Sequence, residues 1–199
     1  MRRSSCIVVS VIIFLSVAAT AQESRSEFSV QGTGFFTKGA SSGATDYSAT
    51  ESDGVLGTYR FHLNHWLSAE GAYGFSQNTQ KYLLLGQGYD VQAGIHQFTG
   101  SLVVNLPSRP NSRFNPYLLA GGGALWFSPS GNQLSVAQSQ AKAAFVYGAG
   151  VNYGIHKGVA IRAEYRGLVY STPDFGFGAL STNSITHTAE PSVGISFRF

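Results

Sequence analysis

The sequence predicts an all-β fold, an eight-stranded antiparallel up-and-down transmembrane β-barrel, and three observations predict it. The first is the last segment, Thr188 to Phe199: Ala189, Pro191, Val193, Ile195, Phe197 and Phe199 fall on one face, and Thr188, Glu190, Ser192, Gly194, Ser196 and Arg198 on the other. The second is the recurrence of such alternation in eight segments with turn-like composition between them, an even number that suits a closed antiparallel barrel. The third is composition. Only 12% of residues are charged, 24 are Gly and 13% are aromatic, and no later run approaches the roughly eighteen apolar residues of a membrane helix.

The chain opens with Arg2 and Arg3, an apolar run from Ile7 to Val17 too short to span a bilayer, and the small residues Ala19, Thr20 and Ala21. That order predicts a secretory signal peptide over residues 1–21 and one barrel domain over 22–199. Cys6, the single cysteine, goes with the signal, which leaves no disulfide or thiolate chemistry in the mature chain. Removing 21 of 199 residues leaves 178, about 22 for each strand and its connection. Without Arg2 and Arg3, eleven Lys and Arg face ten Asp and Glu. A net charge near +1, with scattered basic residues, is no footprint for nucleic acid.

The eight predicted strands are 27–36, 53–63, 67–77, 89–106, 115–128, 141–155, 159–170 and 187–199. Short connections at Asn64–Trp66, Pro107–Phe114 and His156–Gly158 alternate with long polar ones at Thr37–Ser52, Asn78–Gly88, Pro129–Gln140 and Ser171–Thr186. With both chain ends on the inner side, the long connections face the exterior. Ala141–Ala144 is read as loop passing into strand.

Facing is clear on four strands besides the last. Val55, Gly57, Tyr59 and Phe61, with Leu67, Ala69, Gly71, Tyr73 and Phe75, are predicted to face lipid, opposite Thr58, Arg60, Ser68, Glu70, Gly74 and Ser76. Phe145, Tyr147, Ala149, Val151 and Tyr153, with Val159, Ile161, Ala163, Tyr165 and Val169, do the same opposite Asn152, Arg162, Glu164 and Arg166. Tyr and Trp near strand ends form interfacial girdles. On the fourth strand Phe98, Gly100, Leu102 and Val104 are out of phase with Val91, Ala93 and Ile95, which predicts a bulge near His96. The fifth, PYLLAGGGALWF, is apolar on both parities and its facing stays open.

Asn115 to Gly123 (NPYLLAGGG), Arg162 to Arg166 (RAEYR) and the closing Phe199 resemble the small eight-stranded outer-membrane barrels of the OmpA/OmpX type. The likeness spans nearly all of the mature chain. It implies a barrel in the bacterial outer membrane, reached through the periplasm, and carries no substrate with it. Val193, Ile195, Phe197 and Phe199 are similar to the C-terminal segment read by the barrel-insertion machinery of that family. Expected partners are that machinery, outer-membrane lipid and lipopolysaccharide; an extracellular ligand stays unnamed, and the barrel is expected as a monomer without the peptidoglycan-binding domain that follows some such barrels.

Inward parity gathers Arg60, Glu70, Arg162, Glu164, Arg166 and Glu190 in the lumen, and a hairpin centred near His65 sets Arg60 across from Glu70 as an ion pair. Two readings follow: a narrow selective pore, or a plug in which interleaved Arg and Glu satisfy one another. The small interior of an eight-stranded barrel favours the plug. Catalysis on lipid A would need His187, Ser184 and Glu190 together, yet parity puts His187 outside and Glu190 inside, and a fold alone licenses no chemistry. No enzyme, cofactor or metal site is predicted. His62 and His65 flank a turn as interfacial polar residues, without a third ligand for zinc. The run Gly148 to Gly154 lies within a strand and lacks the spacing of a phosphate loop, so its glycines serve close packing. Tyr82, Leu83, Leu84 and Leu85 in the second outer loop and Phe175 and Phe177 in the fourth are candidate contacts for a partner, or else extensions of the strands above the bilayer. The function expected is structural or surface-interacting, outer loops on an ion-paired barrel, with a passive pore as the alternative and lipid A modification third. A soluble lipocalin-like barrel, its apolar face turned inward, is the rival architecture; it would need no detergent.

Overall fold

The computed structural model describes residues 25–37, 40–42, 45–49, 52–84, 87–109, 112–129, 139–171 and 185–199. Ten strands are present among them: β1 (Ser26–Thr37), β2 (Ala40–Ser42), β3 (Thr45–Ala49), β4 (Ser52–His62), β5 (Leu67–Leu84), β6 (Gln87–Asn105), β7 (Phe114–Pro129), β8 (Gln140–His156), β9 (Val159–Ser171) and β10 (Ile185–Arg198). All pairings are antiparallel, and β1, β4, β5, β6, β7, β8, β9 and β10 form a ring that closes because β1 pairs with both β4 and β10 while β5 pairs with β6. The eight expected strands are these eight.

The register sets the size of the barrel. Partners followed around the ring from Glu27 pass through Arg60, Glu70, Ser101, Gly121, Val146, Leu168 and Thr188 and arrive at Thr37, ten residues further along β1. Eight strands with a stagger of ten, at ordinary strand spacing and rise, tilt by about 41° and enclose a cylinder of about 8 Å backbone radius. Side chains alone fill such a space.

Alternation does the rest. On β1, Glu27, Ser29, Gln31, Thr33 and Phe35 are buried, whereas Phe28, Val30 and Phe36 are exposed. Val55, Tyr59, Phe61, Tyr73, Phe145, Tyr147, Tyr153, Ile161, Tyr165, Val193, Ile195 and Phe197 all stand on the outer surface, an apolar coat that only a lipid surround makes favourable. From Ile185 to Phe197 this coat rises about 30 Å along the tilted β10, enough for a bilayer core.

Two of the inner turns are tight, and each of these has a local cause. Between β4 and β5 the Asn64 Oδ1 accepts hydrogen bonds from the backbone N–H of Trp66 (2.9 Å) and Leu67 (2.7 Å), an Asx turn. Between β8 and β9, Gly158 takes φ +73°, a conformation open to glycine at little cost.

Three expectations are corrected. The first outer connection is not wholly loop: β2 and β3 form a hairpin in it, and β3 lies against the upper part of β5. Asn78–Gly88 is likewise strand for most of its length, since β5 and β6 stay paired through Lys81↔Asp90, Tyr82↔Tyr89 and Leu84↔Gln87. Tyr82 and Leu84 thus belong to a strand extension, while Phe175 and Phe177 lie outside the described residues. No bulge interrupts β6 near His96; its register with β5 and β7 runs on unchanged, and Ile95 points inward. The apolar phase changes along β6 because the lumen itself changes from polar to apolar at that height. Phe35, Ile95, Leu125, Phe127, Ala144, Leu168 and Tyr170 pack together at the outer end of the barrel. The open question of β7 is answered there too: Tyr117, Leu119, Leu125 and Phe127 face in, Leu118 and Trp126 face out.

Candidate functional site

The lumen is layered, and the layers follow from which residues each strand turns inward at a given height. At mid-height β9 contributes Arg162, Glu164 and Arg166, three charges in one file because the strand repeats every second residue. β4 and β5 add Arg60 and Glu70, which the register places directly opposite one another. All five are at most 4% exposed. A charge at such depth is tolerable only when paired and fully hydrogen-bonded.

Glu70 is the hub. Its Oε2 accepts from Arg60 Nε at 2.9 Å and from Arg162 Nη1 at 3.3 Å, with Arg60 Nη2 in ion-pair contact at 2.7 Å, and its Oε1 accepts from Arg166 Nη2 at 2.7 Å. Glu164 takes the Nε of Arg166 at 2.5 Å and lies 3.7 Å from Arg60. The Tyr117 hydroxyl also donates to Glu164, and the ring of Tyr117 lies under the Arg60 guanidinium, 4.1 Å from its centroid. Gly150 on β8 leaves the space for that ring, since a Cβ there would run into the Tyr117 hydroxyl. Arg162 completes the layer by pairing with Glu27 and donating to Asn152 (2.9 Å) and Thr58 (3.0 Å). Tyr117→Phe should therefore lower barrel stability by about 1–2 kcal/mol, because one oxygen of Glu164 loses a buried donor; urea unfolding of the refolded protein reads it.

Below this layer the barrel opens inward. A chamber of about 620 Å³ is lined by Glu27, His62, Asn105, Asn115, Asn152 and Arg198 among others. His62 is not the interfacial residue expected: it is 8% exposed, inside the barrel, bonded through Nε2 to Glu27 (3.2 Å) and through Nδ1 to Ser68 (2.9 Å). Above the ion layer stands Glu190, reached by the Thr33 hydroxyl (3.3 Å) and by Gln97 Nε2 (3.2 Å) from the far side of the ring. Above that, apolar residues of the cluster fill the lumen toward the outer end.

Arg60, Glu70, Arg162, Glu164 and Arg166 are thus brought together in one network, with Glu190 just outside it. Sequence reasoning missed Glu27, His62, Gln97 and Tyr117, while Asn152 was placed inward by parity. Glu27 could have been found from its phase with Ser29, Gln31 and Thr33; Tyr117 could not, in a strand apolar on both sides. Of the three residues considered for catalysis, His187 points outward with a ring nitrogen 2.8 Å from the Tyr147 hydroxyl, Glu190 points inward, and Ser184 lies outside the described residues. Val193, Ile195 and Phe197 are exposed on the lipid face, and Phe199 ends beside β1, its backbone N–H bonded to the Ser26 carbonyl at 2.8 Å.

Comparison with known proteins agrees with this architecture. A family model described as outer membrane protein beta-barrel domain matches residues 7–199. Among solved structures, the chain is similar to the outer membrane protein OprG from Pseudomonas aeruginosa, with TM-score 0.63 and 13% identity over 90% of this chain and 98% of that one. It is also similar to Neisserial surface protein A (TM-score 0.56, 16% identity, 86% and 97% covered). A third likeness is to Ail, the attachment invasion locus protein of Yersinia pestis (TM-score 0.52, 20% identity, 89% and 100% covered). At these identities the likeness is one of fold. No curated protein matches the sequence.

Proposed function

The chain belongs to the outer membrane protein β-barrel family and resides in the bacterial outer membrane, and from that premise we propose that it serves as a sealed anchor, a barrel that holds outer segments at the cell surface without conducting. The observation that carries this reading is the filled lumen. Arg60, Arg162 and Arg166 are fully buried and held by Glu27, Glu70 and Glu164, and an apolar layer from Phe35 to Tyr170 stands above them. An ion crossing both layers would have to break several charge-assisted bonds and then shed its water against hydrocarbon. The surface-interaction part of the proposal rests on the upper halves of β5 and β6 and the β2–β3 hairpin. Strands of 18 and 19 residues exceed the nine to eleven or so that crossing requires, so this side of the wall rises above the bilayer as a platform.

In this reading residues 1–21 are removed on export, and the insertion machinery reads Val193, Ile195, Phe197 and Phe199. The outer surface then meets lipid and lipopolysaccharide, with the barrel acting as a monomer. A narrow pore is the second reading, favoured by the chamber of about 620 Å³ that enters from the inner side. Planar-bilayer recording on refolded protein separates the two. The sealed anchor predicts a silent membrane with folded barrel present; discrete, reproducible current steps that change with Glu70→Gln would establish the pore instead.

A further inference from the structure

Among the described residues, every buried glutamate of the lumen but one is bonded to an arginine. Glu27 is paired with Arg162, Glu70 with Arg60, Arg162 and Arg166, and Glu164 with Arg60 and Arg166. Glu190 is 0% exposed, and its hydrogen bonds come from neutral donors, Thr33 Oγ1 at 3.3 Å and Gln97 Nε2 at 3.2 Å. Arg166, its partner across the β9–β10 ladder, directs Nε to Glu164 and Nη2 to Glu70. Three arginines and four glutamates are buried in this lumen. Glu190 is therefore the buried carboxylate that lacks an arginine hydrogen bond, with Arg166 facing it across the ladder as the nearest positive charge. His62 cannot serve it, since it lies beside Glu27 at the inner end, roughly 20 Å away by strand rise.

A second observation falls at the same height. Gln97 Oε1 and Ser76 Oγ are buried oxygens without a hydrogen-bond partner, and Gln97 is the residue that already reaches Glu190. The register sets Thr33, Gly54 and Ser76 in one row across β1, β4 and β5. Gly54 is bare there: a Cβ would stand 3.0 Å from Ser76 Cβ and 3.2 Å from Thr33 Cγ2. Gln97 lies opposite Gly74 in the adjoining pair, with its Oε1 3.5 Å from where a Cβ of Gly74 would be. Two glycines thus keep side-chain carbon out of the row in which these oxygens stand, and at Gly54 a Cβ would also lie 2.6 Å from the Phe75 carbonyl oxygen. Unsatisfied buried oxygens at the level of a carboxylate that has no arginine hydrogen bond leave a place for a positive group.

We propose that this level of the lumen is a binding site for a small monovalent metal cation, with Glu190 as its charged ligand and the oxygens of Gln97, Ser76 and Thr33 as neutral ones. The donor chemistry is right for a hard ion, carboxylate, amide and hydroxyl oxygens without sulfur or imidazole. A single carboxylate among neutral oxygens matches one positive charge better than two. A proton on Glu190 would neutralise the carboxylate, but it could satisfy one acceptor and would leave the second orphaned. The site does not depend on whether the barrel conducts; it acts as a structural ion between the charged layer and the apolar one.

The test is thermal unfolding of the full refolded barrel in LiCl, NaCl, KCl and N-methyl-D-glucamine chloride at equal ionic strength and pH. The midpoint is expected to be at least about 3 °C higher in one of the small cations than in the organic one. Glu190→Gln should erase that difference, while Gly71→Ala on the lipid face keeps it. Equal midpoints in all four salts for the unaltered chain would overturn the site, as would a difference that survives Glu190→Gln. Stability indifferent to the cation, yet raised by acid through Glu190, would put a proton there and overturn it equally. Should Glu190→Gln not fold, Ser76→Ala decides: it should shrink the cation-dependent shift, and an unaltered shift sinks the proposal.

Discussion

Glu70→Ala is expected to lower the unfolding free energy of the barrel by about 3–5 kcal/mol, the cost of breaking buried ion pairs from one side. The reason is the number of cations it serves. Arg60, Arg162 and Arg166 all donate to the one Glu70 carboxylate, and all three are 0% exposed. Taking it away leaves three guanidiniums to share Glu27 and Glu164 in a space that water does not enter freely. Urea titration of protein refolded into lipid vesicles measures the loss. Adding Arg60→Ala to Glu70→Ala should restore part of the stability, because the second change removes one of the stranded charges. A Glu70→Ala barrel as stable as the unaltered chain would mean that Glu70 contributes nothing net and that the lumen is held by its apolar layer alone.

Gly121→Ala combined with Gly123→Ala should be as damaging, by a different mechanism. Both glycines turn their missing side chain toward β6. A Cβ at Gly121 would meet the Gly100 carbonyl oxygen and lie 2.6 Å from Ser101 Cα, and one at Gly123 would meet the Phe98 carbonyl oxygen and lie 2.7 Å from Thr99 Cα. These are backbone atoms of the paired strand, so no rotamer change relieves them. The β6–β7 seam has to open, at a cost of about 4 kcal/mol or more for the two together, or the barrel does not close. Gly71→Ala and Gly100→Ala supply the control. A Cβ at either has nothing within 4 Å, and both should fold like the unaltered chain. Heat-modifiable gel mobility, which reports the closed barrel, compares the double variant with the two controls in one experiment. If the first pair folded as well as the second, close strand approach at β7 would not be what these glycines serve.

The parts legible in the sequence are those that a strand decides for itself. Facing follows from a period of two, so Tyr59 against Arg60, Tyr165 against Glu164 and Ile195 against Ser196 could each be placed without knowing any neighbour. The pair Arg60↔Glu70 was within reach as well, because a short turn sets its register. Other features were out of reach because they depend on what stands across the lumen. The change of phase on β6 looked like a bulge because a polar interior was assumed throughout, whereas Ile95 enters an apolar layer formed by four other strands. The length of β5 and β6 was hidden as well, since polar residues such as Gln80, Lys81 and Asp90 read as loop when nothing apolar marks a face.

The sequence by itself determined a compartment, a strand count and two faces for most strands, since these follow from local alternation and composition. The closed ring decided the partners. A stagger of ten residues carries Arg162 to Glu27, brings Gln97 across the barrel to Glu190, and stacks a charged layer beneath an apolar one. Such contacts join residues as far apart in the chain as 27 and 162, and only closure at a particular tilt, which no single strand encodes, sets them at the same height.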